Sequence, residues 1–78
     1  MKKIKNENEL LGFMIKHANE YEEFNTSTWI KSFGSDTMLD FAFMLKELEL
    51  KRYAIRVCAN IIQITPSGRE NYIPQNVN

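Results

Sequence analysis

The sequence predicts a small α+β domain, mainly helical, that consists of three helices, a two-stranded β-hairpin and a short C-terminal helix. Three observations support this prediction. Apolar residues recur at helical spacing in two long segments, and polar capping residues precede each of them. After Tyr53 the spacing changes to the alternation of a strand, and a Thr-Pro-Ser-Gly turn follows it.

Length and composition indicate one globular domain. A chain of 78 residues buries only about 60% of its unfolded surface, so the predicted core is thin. Hydrophobic residues make up 44% of the chain and charged residues 26%, values typical of a folded domain. Ten basic residues balance ten acidic ones, so any contact with DNA must come from local patches rather than from an overall field.

Residues that bear chemistry are few. Cys58 and His17 are the only residues of their types, which is too few for a disulfide or an ordinary zinc site. The serines lack the glycine pattern of a nucleophile elbow, and His17 has no acid in a catalytic arrangement. We therefore expect no enzyme, no cofactor, no metal and no small-molecule ligand.

The two ends of the chain are predicted to lie outside the folded domain. Residues 1–5 are basic like the start of a signal peptide, but the polar residues 6–9 interrupt the apolar run that should follow. No segment approaches roughly 18 consecutive apolar residues, so we expect no membrane span and a cytoplasmic location. The predicted organisation is a flexible basic N-terminus over residues 1–5, a domain over 6–73 and a disordered tail over 74–78.

The first helix is predicted to begin at Asn6. Asn6 and Glu9 have the spacing of a capping box, in which each side chain accepts a hydrogen bond from the other residue's amide. Apolar residues then recur at helical spacing to about Tyr21, where the helix is expected to end.

The second helix is predicted to have Asn25 as its cap, because four small polar residues in a row favour a helix start over a helix interior. Phe24 and Trp29 then occupy the two positions of a hydrophobic staple. This helix is expected to run to about Phe33, and Gly34-Ser35 forms a tight turn into the next helix.

The third helix is predicted to run from about Asp36 to Lys51 or Arg52. Its apolar residues form a broad core stripe, and its acidic residues share the face most nearly opposite. The core stripe comprises Met38, Phe41, Ala42, Met44, Leu45 and Leu48, and the acidic face comprises Asp36, Asp40 and Glu47.

A second, narrower stripe on the third helix carries Leu39, Phe43 and Leu50. Large apolar residues left in water would make an uncommon exposed patch. We therefore expect another helix of this chain or a second protein to cover this stripe, which favours a homodimer or a contact with a protein partner.

A hairpin is predicted to follow Tyr53. β-branched residues dominate both arms, as on a half-buried pleated surface, and Ala59-Asn60 is a suitable two-residue turn. On the first arm Ile55 and Val57 lie on one face and Arg56 and Cys58 on the other, and Ile62 and Ile64 continue the second arm.

Thr65 is predicted to cap the C-terminal helix, with Pro66 at the first helical position, where a missing amide costs nothing. The helix is expected to end near Tyr72, before Pro74. On its own a Thr-Pro-Ser-Gly sequence is only a capped turn, and its place directly after a hairpin makes it informative.

The order of these elements resembles that of a winged helix-turn-helix domain: helix, brief extended link near Phe24, helix, tight turn, longer helix, two-stranded wing and helix. The resemblance spans about residues 6–72, and the wing is similar to those of multidrug-resistance and phenolic-acid regulators. Very short proteins of this kind are familiar from phages and mobile elements. The most specific segments are Leu45-Lys46-Glu47-Leu48-Glu49-Leu50 and Ile64-Thr65-Pro66-Ser67-Gly68-Arg69-Glu70.

This resemblance implies a small, dimeric regulator of transcription that binds double-stranded DNA through its second helix, its third helix and its wing. The acidic face of the third helix departs from that pattern, because it would repel phosphate. Two functions stay open: a DNA-binding protein, and a protein-interaction module that does not bind DNA. The predicted DNA contacts are Thr26, Ser27, Thr28, Lys31, Thr37, Arg56 and Asn60, and the predicted interface residues are Leu39, Phe43 and Leu50.

Overall fold

The computed structural model describes residues 4–28 and 38–74 of the chain. Within these ranges the chain forms three helices and one three-stranded antiparallel sheet, so the predicted α+β class is confirmed. The elements in chain order are α1 (Glu7–His17), β1 (Glu23–Asn25), α2 (Met38–Leu50), β2 (Ala54–Cys58), β3 (Ile61–Ile64) and α3 (Pro66–Asn71).

Several predicted features fall outside the described residues. They include the lysines before Ile4, most of the second predicted helix, the turn after it and the polar tail after Pro74. Ser27 and Thr28, which precede the gap, have a helical backbone. The predicted residues that lie outside are Trp29, Lys31, Phe33, Gly34, Ser35, Asp36 and Thr37, together with the side chains of Met38 and Leu39.

Helix α1 begins with the predicted cap. Asn6 Oδ1 accepts a hydrogen bond of 2.9 Å from the Glu9 amide. The return bond differs from the prediction, because the Glu9 carboxylate accepts from the Lys5 amide (2.9 Å) rather than from that of Asn6. Both acceptors still satisfy backbone donors at the start of the helix, where intrahelical partners are missing.

The predicted end of α1 near Tyr21 is wrong, because the helix ends at His17. Asn19 Oδ1 accepts hydrogen bonds from the backbone amides of Tyr21 (2.9 Å) and Glu23 (3.0 Å). An asparagine that satisfies backbone donors locally competes with helical hydrogen bonding. The chain turns here through Glu22, which has a φ of 65°, and enters β1.

The sheet has one strand more than predicted. The hairpin of β2 and β3 with its turn at Ala59-Asn60 is confirmed, but β1 also pairs with β3, so the strand order is β1-β3-β2. Phe24 lies opposite Ile62 across β1 and β3. The extended link predicted near Phe24 is therefore a short edge strand that pairs with β3 of the hairpin.

A bulge interrupts the hairpin at Val57, since Arg56 lies opposite Ile62 and Cys58 lies opposite Ile61. Ile55 and Val57 are more than half exposed, so the face of the first arm that carries these two residues is in water. The core contacts of the hairpin come from β3 and from the first residue of β2, Ala54.

The hydrophobic core is formed by α1, α2 and one face of the sheet. Each fully buried Leu, Ile, Met or Phe stabilises the fold by about 1.5–3 kcal/mol relative to an exposed position. The assignment of Ala42 to the core is wrong, because its side chain is exposed, and Met44 is only half-buried. The buried residues are Leu10, Leu11, Met14, Phe24, Phe41, Leu45, Leu48, Ala54, Ile62 and Ile64.

Thr65 caps α3 as predicted and also fastens it to the end of α2. Its Oγ1 accepts from the Gly68 amide (3.0 Å), and its hydroxyl donates to the Arg52 carbonyl (2.7 Å). Its own amide donates to the Tyr53 carbonyl (3.1 Å). A Cβ at Gly68 would overlap that same carbonyl, so a glycine is required there. We call Arg52, Tyr53, Thr65 and Gly68 the Thr65 junction.

Helix α2 ends at Leu50 in a Schellman motif whose left-handed residue is Arg52. The Tyr53 amide donates to the Leu48 carbonyl (2.9 Å), and the Arg52 amide donates to the Glu49 carbonyl (3.1 Å). Arg52 has a φ of 64°, a conformation that glycine adopts at lower cost than other residues.

The segment after α3 returns to α1. The Asn8 side chain donates to the Ile73 carbonyl (2.8 Å) and accepts from the Ile73 amide (3.0 Å). Tyr72 packs so closely on α1 that a Cβ at Gly12 would overlap its ring. The backbone at residue 73 is therefore held against the domain, while the Ile73 side chain points into solvent.

Candidate interaction surface on helix α2

The face of α2 opposite the core is apolar at its centre. At about 100° per residue, Phe43 and Leu50 lie roughly 140–180° from the buried Phe41, Leu45 and Leu48. The prediction that acidic residues lie most nearly opposite the core is wrong. Ala42 is exposed, so the buried side of α2 is centred on Phe41, Leu45 and Leu48, and the opposite side is centred on Phe43 and Leu50. We define the outward face as the exposed side chains of Asp40, Phe43, Lys46, Glu47 and Leu50.

Phe43 and Leu50 are 65% and 68% exposed. The sequence predicts that they lie away from the core, and they do. Leu39, the third residue of the predicted stripe, precedes Phe43 by four residues, but its side chain is outside the described part of the chain. The structure therefore gives two large apolar side chains, about two helical turns apart, on the water-facing side of α2.

Charged side chains flank this apolar centre, and the charge of one of them, Glu47, contributes to the raised pKa of Lys51. Relative to the direction of Phe43 and Leu50, Lys46 lies about 50° to one side, and Glu47 and Asp40 lie about 50–70° to the other. Within residues 4–28 and 38–74, none of these three charges forms a salt bridge. The outward face thus has one basic flank and one acidic flank.

An open groove of about 430 Å³ borders the outward face between α2 and β2. Arg56 lies along its wall, where one guanidinium nitrogen donates to the Ala59 carbonyl (3.1 Å) and the other lies 3.7 Å from the Glu49 carboxylate. Arg56, one of the two predicted DNA contacts on the hairpin, is therefore already bonded within the chain. The groove is lined by Ala42, Lys46, Glu49, Leu50 and Arg56.

Two further basic residues are paired with acids that belong to other elements. Lys51 pairs with Glu7 of α1, and this hydrogen bond raises the pKa of the Lys51 ammonium. Arg69 of α3 binds both carboxylate oxygens of Glu22, and this bonding lowers the pKa of Glu22. These pairs connect elements of the fold and reduce the positive charge available to a phosphate backbone.

Four of the predicted DNA contacts, Thr26, Ser27, Thr28 and Asn60, lie at the hairpin end of the sheet. The Thr26 amide and hydroxyl both donate to the Asn60 carbonyl, at 2.8 and 3.3 Å. The Ser27 amide and hydroxyl both donate to Asn25 Oδ1, at 2.9 and 2.7 Å. The donors that a phosphate would need at Thr26 and Ser27 are therefore engaged within the chain, and Thr28 beside them is half-buried.

Lys46, Ala42 and Glu49 are absent from the residues predicted for this surface. A signal for Lys46 is present, because it lies three residues after Phe43 and four before Leu50, which puts all three side chains on neighbouring positions of the helix. Placing Ala42 in the core concealed that signal. Of the remaining predicted site residues, Lys31 and Thr37 lie outside the described ranges.

Among the described residues, no three side chains of His, Cys, Asp or Glu are arranged to hold a metal ion. Cys58 is a free, exposed thiol at the end of β2. The helices in the described ranges are too short or too polar to cross a membrane. No protein-family model, curated protein or solved structure matches this chain.

Proposed function

We propose that this domain is a protein-interaction module on a winged-helix type of scaffold, and that the outward face of α2 is its docking surface. The order α1, β1, α2, hairpin, α3 supports the scaffold, because it follows the element order of the superfamily that the sequence resembles. The helical backbone at Ser27 and Thr28, between β1 and α2, is compatible with a helix at the expected place.

The observation that carries the proposal is the exposure of Phe43 and Leu50 at the centre of the outward face. In a domain with a thin core, each such side chain left in water forgoes about 1.5–3 kcal/mol of burial. Protein interfaces have an apolar centre and a polar rim, and Lys46, Asp40 and Glu47 supply such a rim around these two residues.

Duplex DNA is a poorer match for the same face. Bases are read in the major groove mainly by Arg, Lys, Asn and Gln side chains, whereas α2 presents a phenyl ring, a leucine and two carboxylates beside one lysine. Asp40 and Glu47 would repel phosphates. The hydrogen-bond donors of Thr26 and Ser27 are bound to Asn60 and Asn25, so using them for phosphates would break existing bonds.

Capture of a partner tests the proposal. The tagged chain is expressed in its own cells, cross-linked and recovered beside two variants, Phe43→Glu and Ile73→Glu. Ile73 is 70% exposed and lies outside α2, so it provides a matched control for an added charge on an exposed apolar residue. We expect Phe43→Glu to abolish capture of a specific partner and Ile73→Glu to retain it. Equal capture by all three proteins would contradict the proposal.

DNA binding is the second candidate function. It is favoured by the meeting of Thr26 and Asn60, two predicted contacts 34 residues apart in sequence, at one end of the sheet. Fluorescence anisotropy with a labelled duplex over a series of salt concentrations tests it. Binding that weakens steeply with salt and is lost in Arg56→Ala would support it, because phosphate contacts release counterions. Absence of binding at low salt would exclude it.

A further inference from the structure

We infer that the partner of the outward face is a second copy of this chain, with the two α2 helices side by side in the same direction. This inference rests on the proposed function and names the partner of the same surface. It is drawn from the distribution of charge around Phe43 and Leu50 and from the symmetry that a homodimer imposes on that charge.

The outward face of each copy carries both basic and acidic side chains, and they lie on opposite flanks. Lys46 lies on one flank of the apolar centre, and Glu47 and Asp40 lie on the other, all of them exposed. Lys46 and Glu47 are consecutive, so they lie at nearly the same height along the helix axis. When the acidic flank of a second copy faces Lys46, the Glu47 carboxylate of that copy therefore lies at nearly the same height as Lys46.

The two-fold axis decides which flanks meet. When the axis runs along the helices and the copies point in the same direction, the basic flank of each copy faces the acidic flank of the other. When the copies point in opposite directions with Phe43 facing Leu50, like flanks meet, so Glu47 faces Glu47 and Lys46 faces Lys46 of the second copy. Charge complementarity thus selects the parallel arrangement.

The apolar centre and the overall charge are compatible with self-association. In the parallel arrangement Phe43 faces Phe43 of the second copy, and Leu50 faces its own counterpart, so both exposed side chains are buried. The chain has ten basic and ten acidic residues, so two copies carry no net repulsion. Dimerisation also enlarges the buried apolar surface of a domain whose own core is thin.

Charge reversal of the full chain tests the inference in sedimentation equilibrium at low salt. We expect a mass of twice 9.2 kDa for the unchanged protein. Lys46→Glu and Glu47→Lys each place like charges in contact across both symmetric pairs and should each raise the dimer Kd about tenfold. The double variant K46E/E47K restores opposite charges with the flanks exchanged, and its Kd should return to within about threefold of the original.

Disulfide formation tests the direction of the helices. In a Cys58→Ala background, which removes the natural thiol, Leu50→Cys should oxidise to a covalent dimer, because equivalent positions face each other in the parallel arrangement. A mixture of Phe43→Cys and Leu50→Cys chains that forms mainly mixed dimers would show opposite directions and overturn the inference.

Two other results would also overturn it. One is a monomer at every concentration up to about 1 mM, which corresponds to an association free energy weaker than roughly 4 kcal/mol. The other is a dimer whose Kd is the same in the two single reversals and the double variant. If the protein is monomeric but Phe43→Glu still abolishes capture of a cellular partner, only the inference of a homodimer is overturned. If Phe43→Glu retains capture of that partner, the proposed function is overturned.

Discussion

The Thr65 junction and the outward face of α2 are built in opposite ways. At the junction, the Thr65 amide donates a hydrogen bond, and the Thr65 hydroxyl group both donates and accepts one. Gly68 is buried where no larger residue fits. On the outward face, Phe43 and Leu50 are in water, and the charges beside them form no salt bridge with the described residues. Folding accounts for the residues of the first region and leaves those of the second unexplained.

The contrast separates residues that a fold needs from residues that a partner needs. A buried glycine and a bonded threonine are expensive to replace, because each substitution creates a clash or an unsatisfied polar group. An exposed phenylalanine contributes little to the folding of the chain on its own. Substitutions in the two regions should therefore differ widely in their effect on the free energy of unfolding.

Phe41 and Phe43 provide the largest contrast on a single helix. Phe41 is 1% exposed, so Phe41→Ala should lower the free energy of unfolding by about 3–5 kcal/mol through lost burial and a cavity. Phe43→Ala should change it by no more than about 0.5 kcal/mol at a concentration where the chain is monomeric. Urea denaturation monitored by circular dichroism measures both values. Similar losses for the two variants would place Phe43 in the core and remove the basis of the docking surface.

Gly68→Ala should have the next largest effect. The new methyl group would overlap the Tyr53 carbonyl, and relief requires a shift of α3 away from the end of α2, at a cost of about 3 kcal/mol. Ser67→Ala, at the exposed position next to it, is the control and should change stability by no more than about 0.5 kcal/mol. Urea midpoints for the pair settle the comparison, and an unaffected Gly68→Ala protein would contradict the close approach of the backbone.

Thr65→Val keeps the shape of the side chain but removes both hydroxyl bonds. It leaves the Gly68 amide and the Arg52 carbonyl without that partner, and we expect a loss of about 1–2 kcal/mol. Thr65→Ser retains the oxygen and should lose much less. If valine and serine at this position gave the same thermal midpoint, the cap would not be the source of the stability.

Arg52→Gly should raise the stability, by about 0.5–1 kcal/mol, because glycine adopts the left-handed conformation of residue 52 without the steric cost of a Cβ. Arg52→Ala removes the side chain but keeps the Cβ, so it should show no such gain. Chemical denaturation of both variants measures the difference. A gain that is equal in the two variants would point to the arginine's charge rather than to its backbone.

Features that depend on a few adjacent residues could be predicted from the sequence. Asn6 before α1 and Thr65-Pro66 before α3 are caps whose physical cause is local, and both are present in the structure. The hairpin turn at Ala59-Asn60 follows from alternation on both sides of it. These local features define most of the described helices and strands, which is why the α+β class is confirmed.

Features that depend on distant partners could not be predicted. β1 has three residues and is a strand because β3 lies beside it, and the bulge at Val57 appears only when the two arms are aligned. Ala42 has the polarity and spacing of a core residue, yet the packing of α2 against β2 leaves it at the groove. The error at Ala42 misplaced the centre of the outward face, which is the feature on which the proposed function depends.

The smallest expected effect concerns the ion pair between Glu22 and Arg69, which holds α3 near the turn before β1. Hydrogen bonding from Arg69 lowers the pKa of Glu22 below its usual 4.5. The unfolded chain therefore takes up a proton at this site before the folded chain does, and the pair's contribution is present above about pH 4.5 and disappears as the pH falls through the folded pKa. The difference in unfolding free energy between the natural protein and Glu22→Gln should shrink accordingly.

Glu20→Gln is the matched control for that titration, since it removes the same charge two residues away, from an exposed position that forms no ion pair with the described residues. Urea denaturation at a series of pH values between about 3 and 7 gives the free energies for all three proteins. Because the pair is largely exposed to solvent, added salt should also reduce the difference for Glu22→Gln. A difference that is independent of pH and salt would contradict a contribution of the ion pair with Arg69.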